Sequence, residues 1–308
     1  MPSRLGPAVP TTASTSPTPP EAAPATVTTP RIASVSSTTF DATPVLRPGA
    51  PSLTAEVDPT RITWARVERG QLFVDGLSWD DVTQGAVGNC YLLSALSAVA
   101  ATSPEVLTER IRHVGGGVYE VRFFEKTRTG PREIAVRVDG TLPLEDGERV
   151  YGGAREAREL WVSLVEKAFA AWQGGYEVIN QGGFPEDTFY ALTGRKSDYV
   201  GDLQRARASR VWSLMEAATK DGRPMTAGTW LQADFEADYE AVGLVEGHAY
   251  SLLGVSDVGG ERTVTLRNPW GTTEFGADGR DDGVFTMSFD AFRRYFGDLT
   301  IVRADAAA

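Results

Sequence analysis

Four side chains of types that together can form and break acyl bonds are spread along this sequence. Cys90, the only cysteine, sits in "TQGAVGNCYLLSALSAVA", six residues after Gln84. His248 opens the apolar stretch "GHAYSLLGV", and Asn268 lies in "LRNPWG", directly before Pro269 and Trp270. A thiol attacks as the thiolate, so it needs a base or a positive field. At the first turn of a helix, Cys90 would meet unpaired N–H groups and the positive end of the helix dipole. Gly88 would let the backbone turn tightly there, and the Gln84 amide beside the Cys90 N–H would make a two-donor oxyanion hole. His248 would then be the base. Asn268 would accept from one imidazole nitrogen while the other faces the thiol. Pro269 would hold Asn268 extended, and Trp270 would keep water from the Asn–His hydrogen bond.

Each fragment alone also has a plainer reading. Cys90 could be a small core residue heading an apolar helix, His248 a satisfied strand histidine, and "NPWG" a turn with a packed tryptophan. His113, in "ERIRHVGGG", is assigned a solvated place near a helix end rather than chemistry.

The elements that must hold these residues are legible in outline. Residues 90–101 are apolar on every side, which predicts a buried helix. "VYEVRFFEK" and "EIAVRVDGTLPL" alternate as strands around a turn at "RTGPR". In "EARELWVSLVEKAFAAWQGG", Leu160, Trp161, Leu164, Val165, Ala168, Phe169 and Trp172 recur at helical spacing, with Gly174 as the stop. "NQGGFPEDTFYALTGR" could be a hinge. Beyond it "PMTAGTWL", "HAYSLLGVSDV", "RTVTLRNPW", "GVFTMSF" and "LTIVRA" read as short strands, interrupted by a helix at "FDAFRRYF". Helices first and an antiparallel sheet after predict an α+β fold.

The chain has 308 residues, enough for a sizeable core. Its formal net charge of −11 and lack of a Lys/Arg cluster argue against nucleic acid or an anionic membrane as the main partner. One cysteine closes no intramolecular disulfide, and no apolar run approaches the ~18 residues of a membrane span. The first residues lack the apolar core of a secretory signal, so a cytoplasmic protein without membrane insertion, a monomer, is expected. Residues 1–50 hold 10 of the 18 prolines, so residues 1–54 read as a disordered Pro/Thr/Ser/Ala-rich tail. Residues 55–194 would form a helical lobe with Cys90, and residues 195–308 a β lobe with His248 and Asn268.

The order Gln84, Cys90, His248, Asn268 is the papain-type order. "QGAVGNCYLLSALSAVA", "GHAYSLLGV" and "LRNPWGTTEF" resemble the three active-site blocks of the calpain protease core. "LWVSLVEKAFAAWQGGYEVINQGG" resembles its long helix and glycine turn, and the match spans roughly residues 64–303. The resemblance implies a papain-like two-lobe cysteine endopeptidase acting on protein substrates. Calpain cores usually read Asp-Cys-Trp where this chain has Asn89-Cys90-Tyr91.

The resemblance also implies Ca²⁺ in each lobe. In the first, Val74 and Gly76 match the carbonyl ligands, and Asp81 and Glu159 the carboxylates; hard oxygen donors suit Ca²⁺. In the second, Glu274 and Asp282 match. The position two after Asp282, acidic in calpains, is Val284; either Asp278 or Asp281 compensates, or the site is lost. No EF-hand loop is present. Two other functions use the same residues: thiol acyl transfer or amidase chemistry, and a catalytically silent calpain-like binding module.

Overall fold

The computed structural model describes residues 44–231, 239–276 and 279–304. Asp278 and most of the Pro-rich tail lie outside them. The chain enters through β1 (Val45–Leu46) and β2 (Ile62–Arg66), then a 3₁₀ turn at Trp79–Asp81 that runs into β3 (Val82–Thr83). Helix α1 (Cys90–Thr102) follows, and every residue from Tyr91 to Ala100 is buried, as its apolar circumference requires. A proline in its first turn opens α2 (Pro104–Thr108).

β4 (Ile111–Gly115), β5 (Val118–Thr127) and β6 (Gly130–Asp139) are consecutive antiparallel strands, and β1 adds parallel to β6. β7 (Thr141–Glu145) pairs with β2 and with β8 (Glu148–Arg149), and β9 (Gly153–Ala154) pairs with β3. Then come α3 (Trp161–Gln173), α4 (Tyr176–Ile179) and α5 (Pro185–Thr193). Gly174 ends α3 at φ +111°, a left-handed turn that disfavours any side chain.

The rest of the chain is β10 (Ser197–Gly201), α6 (Ala208–Lys220), β11 (Met225–Thr229), β12 (Ala249–Val258), β13 (Glu261–Arg267), β14 (Val284–Ser288), α7 (Phe289–Tyr295) and β15 (Phe296–Val302). Its strands form one antiparallel sheet in the order β10-β15-β11-β12-β13-β14. The fold is thus α+β. The buried apolar residues form two clusters, one from Val82 to Leu192 joined by Val302, the other from Leu203 to Ile301.

Three expectations change. Ordered packing starts before residue 55: Val45 and Leu46 pair with Ala135 and Val136, and Thr54 is buried with its N–H donating to the Tyr151 hydroxyl at 2.9 Å. Low apolar content hid this, because main-chain pairing needs no side chain. The first half is as much sheet as helix, since β4, β5 and β6 cover one flank of its core. His113 lies on β4 with its ring 4.9 Å from that of Tyr119, not at a helix end. Helix α6 went unread although Val211, Trp212, Met215 and Ala218 carry its buried stripe.

Candidate active site

Cys90 is the first residue of α1. Asn89, the residue before it, has no side-chain capping bond to the helix. Its Nδ2 instead donates to Glu166 on α3, 2.7 Å away, while its carbonyl accepts from the N–H groups of Leu92 and Leu93. The N–H groups of Cys90 and Tyr91 are therefore left for the thiol. Burial pushes the Cys90 thiol up, and the N–H groups of Ala249, Tyr91 and Cys90 itself pull it back. Ala249 follows His248 in the chain, so the thiol lies beside the head of β12. α1 is held to that strand by Ser251 Oγ, which donates to the Ser94 carbonyl at 2.8 Å.

His248 Nε2 lies 2.9 Å from Asn268 Oδ1. The orientation of the Asn268 amide follows from its other bonds: Oδ1 also accepts from the Trp270 N–H at 3.1 Å, and Nδ2 donates to the Thr273 carbonyl at 3.1 Å. Because Oδ1 only accepts, Nε2 carries the proton and Nδ1 the lone pair. Thr229 Oγ1 accepts from the His248 N–H at 2.9 Å and donates to the Val245 carbonyl at 2.7 Å. The imidazole stands between the Trp270 ring, tilted at 5.0 Å, and the edge of Tyr250, also at 5.0 Å. Burial lowers its pKa to about 4 against the raising effect of the Asn268 bond. Thiol and imidazole are thus both held towards their neutral forms, because burial penalises either charge.

Gln84 is tied into the same corner. Its N–H donates to the Pro269 carbonyl at 2.8 Å and its Nε2 to the Val87 carbonyl at 2.6 Å, leaving one amide hydrogen uncommitted. Gly88 is needed for close approach rather than for an unusual φ. A side-chain carbon there would sit 2.7 Å from the Asn180 carbonyl, while Asn180 Oδ1 accepts from the Gly88 N–H at 2.7 Å.

The two acidic loops differ. Asp81 Oδ2 accepts from the Ser78 N–H at 2.8 Å and from Trp161 Nε1 at 3.1 Å, and Glu159 Oε1 accepts from the Val74 N–H at 2.8 Å. Burial pushes the half-buried Asp81 carboxyl up, while its contact with Glu159 pulls it back. Burial, reinforced by Asp81, pushes Glu159 up to about 7. Gly76, at φ +97°, forms the turn two residues after Val74. In the second loop, Glu274 Oε1 accepts from the N–H groups of Asp282 and Gly283, both at 2.6 Å. Asp282 Oδ1 accepts from the Val284 N–H at 3.0 Å, and Asp281 Oδ1 from the Thr273 N–H at 3.2 Å. Among the described residues, no cluster of three or more His, Cys, Asp or Glu is placed to hold a metal.

Residues 44–281 match the family model described as calpain family cysteine protease. This chain belongs to the calpain family. It is 32% identical over 263 residues to the calpain-type cysteine protease DEK1 of Arabidopsis thaliana, which covers 75% of this chain and 12% of the plant protein. It is 30% identical over 276 residues to the calpain-1 catalytic subunit of Mus musculus, covering 78% of this chain and 38% of the mouse protein. The calpain-2 catalytic subunit of Bos taurus is 27% identical over 277 residues, with the same coverage. The chain therefore spans at most 38% of the length of these three relatives. Among its described residues, no helix is long and apolar enough to cross a membrane.

Sequence reasoning missed several residues of this calpain-family site. Glu166 is fully buried and accepts from Asn89 Nδ2 and, at 2.9 Å, from the Gly152 N–H. Burial lifts it to about 7 despite both donors. Thr229, Asn180 and Arg267 carry no local signal, since their partners lie far along the chain. The helical pattern around Glu166 marked α3 correctly, but a carboxylate inside that pattern was itself a signal, since an unpaired buried acid is costly.

Proposed function

We propose that this chain is a cysteine endopeptidase with a papain-like two-lobe arrangement, cleaving protein substrates through Cys90, His248 and Asn268. The observation that carries the reading is the His248–Asn268 bond of 2.9 Å. It leaves the Nδ1 lone pair free, with Cys90 at an uncapped helix start beside the next residue's N–H. His248 Nδ1 takes the Cys90 proton as Sγ attacks the scissile carbonyl carbon. The tetrahedral oxyanion is stabilised by the Cys90 N–H and the uncommitted Gln84 amide hydrogen. The imidazolium keeps its Nε2–H on Asn268, gives the Nδ1 proton to the leaving amine and leaves an acyl-enzyme. Water, deprotonated by the same nitrogen, hydrolyses the thioester. Trp270 packs on the imidazole and limits water at the His–Asn bond.

Calcium dependence belongs to the same reading. A buried carboxyl set against a half-buried one, as Glu159 is against Asp81, fits a hard divalent cation. They would hold it together with the Val74 and Gly76 carbonyls, and bound Ca²⁺ would supply the positive charge that lets both acids ionise. Glu274 and Asp282 fit less well, because each is tied to main-chain donors of its own loop rather than set against a second carboxyl. Cleavage of casein by the purified chain tests the assignment. Wild type should cut and Cys90→Ala should not; equal cutting by both refutes the role of Cys90.

A further inference from the structure

Arg267 is wholly buried at the end of β13, and the next residue is Asn268. Its guanidinium crosses from the sheet of the second core to the acidic turn that precedes β3. Nη2 donates to the Asp80 carbonyl at 3.2 Å, and Cζ lies 5.7 Å from the centre of the Trp79 ring. Nε and Nη1 are equally buried and have no hydrogen-bond partner among the described residues. A charge kept there with two donor atoms unanswered is expensive, and an apolar side chain of similar volume would serve packing better.

We propose that Arg267 is a positioning residue that links the Trp79–Asp81 turn to the Asn268–His248 pair, so that a divalent cation held by Asp81 and Glu159 is felt at the imidazole and through it at Cys90. This rests on the catalytic and calcium reading above and adds the path between the two. The path is short and covalent except at three points. The Glu159 carboxyl bonds that of Asp81, the Asp80 carbonyl holds Arg267, and Asn268, next in the chain, holds His248. A second tie, from the Gln84 N–H to the Pro269 carbonyl at 2.8 Å, fixes the other side of Asn268 to the same half of the molecule. Burial lowers the Arg267 guanidinium to about 10 and Arg155 adds to that, while Asp80, Asp282 and Asp81 favour its charge. Arg267 therefore lies within reach of the charges on both acidic loops.

The test separates cation binding from its effect on the thiol. Terbium luminescence, sensitised through Trp79 and Trp161, reads binding; alkylation of Cys90 by iodoacetamide at pH 6, followed by intact mass, reads the reactive thiolate. In the wild-type full chain, calcium should raise the alkylation rate by about tenfold, the lower end of what an orienting contact is worth. In Arg267→Met the terbium midpoint should move by less than about twofold, below the range of an allosteric coupling, while the calcium response of Cys90 disappears. Arg267→Lys, which still reaches a carbonyl, should restore part of it. An Arg267→Met chain that responds like wild type overturns the link. If that variant does not fold by circular dichroism, Trp79→Leu, with terbium then read through Trp161 alone, carries the same test at the other end of the contact. Wild-type Cys90 that labels rapidly but ignores calcium overturns the link and leaves the peptidase standing. Wild-type Cys90 that does not label under any condition overturns the catalytic reading, and the link with it.

Discussion

The loop around Val74 to Asp81 and the loop around Glu274 to Asp282 carry acids in comparable positions, yet their carboxyls are used differently. In the first, Asp81 and Glu159 lie against each other, and Asp81 reinforces the effect of burial that pushes Glu159 up to about 7. In the second, three main-chain N–H groups have already taken the Glu274 and Asp282 oxygens. Both pairs answer main-chain donors, so backbone bonding alone does not separate them as cation ligands. Asp81 and Glu159 set two carboxyls against each other, whereas Glu274 and Asp282 are tied to the main chain of their own loop.

The sharpest way to break this contrast is Glu159→Gln. It keeps an acceptor for the Val74 N–H and removes the charge, so terbium affinity should fall about 10–100-fold. Unchanged affinity would place the cation elsewhere. Glu274→Gln should act on stability instead. Losing the charge on two short hydrogen bonds should lower unfolding free energy by about 1–2 kcal/mol in a urea titration, with terbium affinity unchanged. A large loss of affinity there would show the second loop to be a site after all.

A third expectation comes from the protonation of the first loop. Glu159 holds its proton up to about pH 7. Below that pH a cation must displace the proton, so affinity should drop about tenfold per pH unit as pH falls from 7. A flat profile would mean the pair is not the ligand. The smallest effect lies outside both loops, at Asp298, whose Oδ1 accepts from the Gly228 N–H at 3.2 Å. Burial pushes Asp298 up from 3.8 to about 6. The folded state binds the extra proton between those values, so this group's contribution to stability falls as pH rises from 4 to 6. Asp298→Asn should therefore stabilise the chain by about 1 kcal/mol at pH 7, roughly 3 °C in melting temperature, and the gain should vanish by pH 4. An equal gain at both pH values would assign it to packing.

Much of the site was readable because its signals are local. The uniformly apolar run after Cys90 became α1, and the stripe from Leu160 to Trp172 became α3 with its glycine stop. His248 and Asn268 stood out through their neighbours, and the structure sets them 2.9 Å apart. Glu166 and Arg267 were missed because each looks like one charged residue inside a regular element. Their meaning lies in partners far along the chain. Gly88 is legible as a place of close backbone approach, but what approaches it, the Asn180 carbonyl 92 residues away, shows only in the fold.

The sequence by itself determined the residue types, their order and the elements that carry them, since periodicity, glycine stops and short motifs act over a few residues. The tertiary structure alone decided how each polar group is used. Asn89 has the side chain of a helix cap, yet it is committed to Glu166, 77 residues away. That leaves the N–H groups of Cys90 and Tyr91 for the thiol. The same holds for Asp81 with Glu159 and for Arg267 with the Asp80 carbonyl. A buried polar group must find a partner wherever the fold brings one, and no local pattern records which partner that is.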